Sequence, residues 1–215
     1  MAGVTVKICG LSTLPTLEAT IAAGADMAGF VFFEKSPRHI SLETARALGR
    51  AAQGRIAKVA LTVDADNSAL DAIVAALAPD VLQLHGKEAP ERVAAVKARF
   101  RLPIVKAIGV ATAADIEAAT AYRAAADILL FDAKPALGAA VPGGAGAVFD
   151  WELLRGYSGG DWMLSGGLDP ANVAEALRRT GAPAVDVSSG VESARGVKDE
   201  AKIAAFVAAA RGASV

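Results

Sequence analysis

Short runs rich in β-branched residues alternate with longer alanine-rich runs from one end of the chain to the other, and this alternation constrains the fold most. The short runs read as strands at Val4–Cys9, Met27–Phe33, Ile56–Val63, Val81–His85, Pro103–Val110, Asp127–Asp132, Trp162–Ser165 and Ala184–Val187. The longer runs read as helices near Thr13–Ala23, Leu42–Ala52, Asn67–Leu77, Glu91–Phe100, Ala113–Ala124, Asp150–Leu154, Pro170–Thr180 and Asp199–Arg211. Units of this kind join by right-handed crossovers and build a parallel sheet. Eight of them fill a closed (β/α)8 TIM barrel, and 215 residues suit one such α/β domain spanning residues 1–215. A doubly wound open sheet is the rival. It usually has fewer strands, and no dinucleotide fingerprint follows the first strand here. Helix signals agree: Asp150 caps Trp151-Glu152, Asp169 stands before Pro170 at a first helical position, and Gly24 and Gly181 close helices.

Composition sets outer limits. Hydrophobic residues make up 53% of the chain, enough for a large core. A net charge of −1 gives no support for a nucleic-acid or anionic-membrane partner. The apolar runs are too short to span a bilayer. Met1–Lys7 has no basic segment leading into an apolar one, so a cytoplasmic location is the expectation. Cys9 is the only cysteine, which rules out an intrachain disulfide and a cysteine-based zinc cluster.

Barrel enzymes carry their chemistry on the loops after the strands. Those positions hold Lys7-Ile8-Cys9-Gly10, Ser36-Pro37-Arg38, Gln83-Leu84-His85-Gly86, Phe131-Asp132-Ala133-Lys134, Ser165-Gly166-Gly167-Leu168 and Asp186-Val187-Ser188-Ser189-Gly190-Val191-Glu192. Polar and reactive groups therefore gather at one rim. Backbone N–H groups grip a phosphate only where the chain can approach closely, which glycine permits. Gly166-Gly167 and Ser188-Ser189-Gly190 fall in the two loops where such barrels usually hold phosphate. The long Gly/Ala/Pro-rich stretch Ala133–Val148 has the length of a functional loop and contributes Gly144 and Gly146.

Two readings fit Cys9: a small core hydrophobe, or a group pointing into the pocket whose thiolate Lys7, on the same strand face, would favour. Asp132 is either a cap or a general acid, since a carboxyl group in a partly apolar pocket can hold its proton near neutral pH. Arg38 is an ordinary surface arginine or a fork for a planar carboxylate. His85 reads as a hydrogen-bonded structural histidine before an acid or base. Lys7, Lys106 and Asp186 interrupt apolar strands, so ion pairs are expected there.

Taken in order, these motifs, with Gly143-Gly144-Ala145-Gly146 before Phe149-Asp150-Trp151, resemble the phosphoribosylanthranilate isomerase family from about Lys7 to Asp199. The resemblance implies a cofactor-free and metal-free isomerase of tryptophan biosynthesis acting on a small-molecule substrate, as a monomer or homodimer. It implies Cys9 as general base and Asp132 as general acid. Arg38 would hold the anthranilate carboxylate and Asp186 would line the site. Gly144, Gly146, Gly166, Gly167, Ser188, Ser189 and Gly190 would hold the phosphate. One departure is visible: Ala145 stands where the family usually has Thr or Ser, which removes a hydroxyl from the glycine loop. The segment Gly196-Val197-Lys198-Asp199 is close to the family's Gly-x-Lys-Asp. Rivals are the histidine-pathway aldose–ketose isomerase, indole-glycerol-phosphate synthase and a non-catalytic phosphometabolite-binding barrel. The first typically uses paired aspartates on strands one and five, where this chain has Cys9 and Lys106.

Overall fold

The computed structural model describes residues 3–134 and 149–213. Eight strands close into a barrel in sequence order: β1 Thr5–Cys9, β2 Met27–Phe32, β3 Ala57–Thr62, β4 Val81–Leu84, β5 Ile104–Val110, β6 Ile128–Ala133, β7 Trp162–Leu164 and β8 Ala184–Val187. Every neighbouring pair is parallel, and β8 returns to β1 with Lys7 opposite Asp186. Helices α1 Leu14–Ala22, α2 Leu42–Ala52, α3 Asn67–Leu77, α4 Pro90–Phe100, α5 Ala113–Ala118, α6 Val173–Thr180 and α7 Glu200–Arg211 follow the strands. The barrel expected from the alternation is the one observed.

Two kinds of core follow from the two faces of each strand. Val6, Ile8, Phe30, Ala60, Leu82, Ile104, Phe131 and Val185 point outward and pack with Leu17, Leu48, Leu70, Val93 and Phe206 of the helices. The opposite parity fills the interior, where Met27, Val59, Val81, Val105, Leu130, Met163 and Ala184 form one cluster. Two residues further along the strands, still facing inward, come Gly29, Gln83, Asp132, Ser165 and Asp186. The strand period thus lifts polar groups onto the upper layers of an apolar plug.

Three local expectations are corrected. The fifth helix is α only to Ala118 and tightens into a 3-10 turn over Ala119–Tyr122, where the Thr120 hydroxyl bonds back to the Glu117 carbonyl at 2.7 Å. The segment after Asp150 is a 3-10 turn, Trp151–Leu154, although Asp150 caps it as expected. Pro170 does not open α6. Asp169 instead accepts from the Ala171 and Asn172 N–H groups in a preceding turn, and the helix begins at Val173. A further element was not foreseen: β9 Glu192–Ala194 and β10 Val197–Lys198 form an antiparallel hairpin beyond β8.

Candidate active site

β1 places Lys7 and Cys9 on the interior face, both buried. Lys7 Nζ donates to Asp186 Oδ1 at 2.8 Å across the β1–β8 seam. The other Asp186 oxygen accepts from Ser165 Oγ at 3.2 Å. The ion pairs expected of the barrel lysines are present, since Lys106 meets Glu88 at 2.7 Å. A Cβ built on Gly29, the β2 partner of Cys9, would stand 3.0 Å from Cys9 Sγ and 3.2 Å from Lys7 Nζ, so only glycine leaves this space open. Gly10 serves the same end on the rim. It has φ +83°, and a Cβ there would lie 2.6 Å from Arg38 Cδ.

Lys7 favours the Cys9 thiolate, as expected of its place on the same strand face, but burial outweighs it. Burial pushes the Cys9 thiol up, outweighing Lys7 and Lys198, and the Asp186 charge adds to the rise. Lys7 itself is raised: burial opposes its charge, but Asp186 and Cys9 prevail. Cys9 thus holds its proton more tightly than an ordinary thiol, and its thiolate, once formed, is the stronger base for that.

Asp132 stands on β6, three strands round the ring from Cys9, and is 6% exposed. Its Oδ1 accepts from the Ala133 N–H at 2.9 Å. Its Oδ2 lies 3.4 Å from His85 Nε2, and His85 Nδ1 is 3.0 Å from Gln83 Nε2. His85 is thus a hydrogen-bonded residue, as expected, and one that touches the candidate acid.

Arg38 is buried at 5% exposure rather than splayed on the surface. Ser36 Oγ accepts from its backbone N–H at 3.2 Å. Its fork grips a carboxylate of the protein: Nε donates to Glu192 Oε1 at 2.7 Å and Nη2 to Glu192 Oε2 at 2.9 Å. Sequence reasoning gave Glu192 no role. The available signal was an acid one hairpin turn before the Gly-x-Lys-Asp segment. Glu192 is pulled down to about 2: burial opposes this, and Arg38 and Lys198 overcome it.

The loops after β7, with Gly166 and Gly167, and after β8, with Ser188, Ser189 and Gly190, abut at Gly190, while Gly166 faces β6, where a Cβ would stand 2.5 Å from the Ala133 N and 3.2 Å from Asp132 Oδ1. A Cβ on Gly190 would overlap the Leu168 carbonyl and stand 3.0 Å from Asp169 Cα. The turn Ser189–Val191 is 3-10. Ser188 accepts from Lys198 Nζ through its carbonyl at 2.8 Å and its hydroxyl oxygen at 3.2 Å, which leaves the hydroxyl proton to donate. Gly144 and Gly146 lie outside the described residues.

A parallel barrel with a thiol, a carboxyl group and an arginine at the carboxyl rim beside two abutting glycine loops defines the class: a (β/α)8-barrel enzyme built for proton transfer on an anionic metabolite. The chain belongs to the N-(5'-phosphoribosyl)anthranilate (PRA) isomerase family, whose model matches residues 6–209. An N-(5'-phosphoribosyl)anthranilate isomerase of Rhodopseudomonas palustris (strain HaA2) is 60% identical over 209 residues, 97% of this chain and 96% of the relative. The phosphoribosyl anthranilate isomerase of Thermotoga maritima superposes with a TM-score of 0.86 at 36% identity, covering 97% and 99% of the two chains. A phosphoribosyl anthranilate isomerase solved in complex with reduced 1-(o-carboxyphenylamino)-1-deoxyribulose 5-phosphate gives 0.84 at 34% identity, with the same coverage.

Proposed function

We propose that the protein isomerises N-(5'-phosphoribosyl)anthranilate to 1-(o-carboxyphenylamino)-1-deoxyribulose 5-phosphate, the Amadori step of tryptophan biosynthesis. The carrying observation is that Cys9 and Asp132, from β1 and β6, both stand in the inward-facing upper layer of one barrel. Asp132 gives a proton to the ribose ring oxygen as the C1–O bond breaks, leaving an iminium at C1. The Cys9 thiolate takes the C2 proton, and the C2–H electron pair becomes the C1=C2 bond of an enolamine. Loss of the enol proton and protonation at C1 give the ketone, with no net change in oxidation state. A raised thiol supplies few thiolates near neutral pH, but each is a stronger base towards a C–H bond.

Arg38 provides positive charge for the anthranilate carboxylate, with Asp186 beneath the site holding Lys7 in place. Backbone and hydroxyl donors of Gly166, Gly167, Ser188, Ser189 and Gly190 take the phosphate. The test is the decay of anthranilate fluorescence with freshly made phosphoribosylanthranilate. Cys9→Ser and Asp132→Asn should each lose about a hundred- to ten-thousand-fold in kcat while still binding the reduced product analogue. Near-native turnover in either variant removes that residue from its role.

A further inference from the structure

The hairpin beyond β8 carries two buried charges that exchange no proton with the substrate in the proposed chemistry. Lys198 is 7% exposed and Glu192 8%. Lys198 Nζ has three donors, and it meets three acceptors: Ser188 O at 2.8 Å, Ser188 Oγ at 3.2 Å and Glu192 Oε1 at 2.7 Å. The Glu192 carboxylate has about four acceptor sites. Oε1 takes Arg38 Nε and Lys198, and Oε2 takes Arg38 Nη2 and the Gly196 N–H at 3.0 Å. The hairpin is seated on the Arg38 loop as well, since a Cβ on Gly196 would fall 2.8 Å from the Pro37 carbonyl. Neither Lys198 nor Glu192 has capacity left for a ligand, so each acts through the groups it holds. Those groups are Arg38 at one end and Ser188 at the other.

We propose that Glu192 and Lys198 are positioning residues. Together they form a charged strut that fixes the separation between the Arg38 guanidinium and the Ser188 loop, and so favours ligands carrying a carboxylate and a phosphate at one spacing. The proposal rests on the assignment of Arg38 to the carboxylate and of Ser188 to the phosphate. Holding two subsites at a preset distance cuts the ordering cost for a ligand that spans both and does little for one that occupies either alone.

Calorimetric titrations of the whole protein test this with three ligands: reduced 1-(o-carboxyphenylamino)-1-deoxyribulose 5-phosphate, ribose 5-phosphate and anthranilate. Lys198→Met should weaken the two-anion ligand about tenfold or more and each one-anion ligand less than about twofold. Should Lys198→Met fail to fold, Glu192→Gln, nearly isosteric, carries the same expectation. Native affinity for the two-anion ligand in the folded variant overturns the strut. Equal weakening of all three ligands also overturns it, because the network would then serve the fold or each subsite separately. Arg38→Lys tests the underlying assignment independently. It should weaken the two-anion ligand and spare ribose 5-phosphate, and if it weakens both equally the carboxylate assignment fails whatever Lys198→Met does.

Discussion

Gly29 shows how a residue with no side chain controls a reactive one. Its missing Cβ is the space into which Cys9 Sγ and Lys7 Nζ both project. Gly29→Ala would press on the Cys9 backbone as well as its sulfur, so the thiol must shift by a few tenths of an ångström. Misplacement of a reacting group is costly to rate, and the added methyl also overpacks a buried site, at about 1–3 kcal/mol. The folded variant should lose about tenfold or more in kcat beyond any fall in melting temperature; unchanged kcat with a lowered melting temperature would assign Gly29 to packing alone. Cys9 also has a pH signature. Its thiol is pushed up by burial, so the thiolate fraction keeps growing as pH rises past the ordinary thiol range. The kcat/KM limb that follows Cys9 ionisation should therefore lie above about pH 8.5. A limb near pH 6 to 7 would mean that another group is the base.

The β9–β10 hairpin, two strands of three and two residues, was invisible in the sequence because so short a run has no measurable period. Lys198 was legible in its Gly-x-Lys-Asp segment, but Glu192 and its pairing were not, because Arg38 and Glu192 are 154 positions apart. The strands were legible because each needs apolar residues on both faces of a parallel sheet. Of the glycines read as rim positions, Gly166, Gly167 and Gly190 follow β7 and β8, while Gly144 and Gly146 lie outside the described residues. Arg38 was correctly placed on the rim by its motif, but no sequence pattern announces that a carboxylate of the protein already holds its fork. The hairpin makes a pH prediction of its own. Glu192 is held down to about 2 in the folded protein, against about 4.3 when unfolded. A depressed carboxyl contributes stability that is present above the unfolded value and is lost as pH falls through the folded one. Native protein should thus lose stability between about pH 5 and pH 2, and Glu192→Gln should be less stable at pH 7 but fall less steeply over that window. Parallel denaturant curves for the two proteins would contradict this.

At the scale of the whole molecule the decisive event is closure, when β8 pairs with β1. Lys7 and Asp186, 179 positions apart, meet at that seam with side chains 0% and 6% exposed. Burying two charges is expensive, and their attraction offsets the cost only while both are present. Asp186→Asn keeps the shape and the Ser165 contact but leaves the Lys7 ammonium uncompensated, so it should cost about 3–5 kcal/mol. Lys7→Met should cost a similar amount by stranding Asp186. The double variant Lys7→Met/Asp186→Leu removes both charges and fills the space with apolar atoms, so it should be clearly more stable than the sum of the single losses predicts. Lys7 also fixes the alkaline side. Its raised pKa contributes stability that is fully present below the unfolded lysine value of about 10.4 and is lost only as pH climbs through the folded one. The native minus Lys7→Met difference in unfolding free energy should stay flat from pH 6 to about pH 10 and shrink above it. Chemical denaturation across that range measures the coupling and its pH dependence together, and strict additivity of the two single variants would show that the seam is closed by the backbone ladder and packing alone.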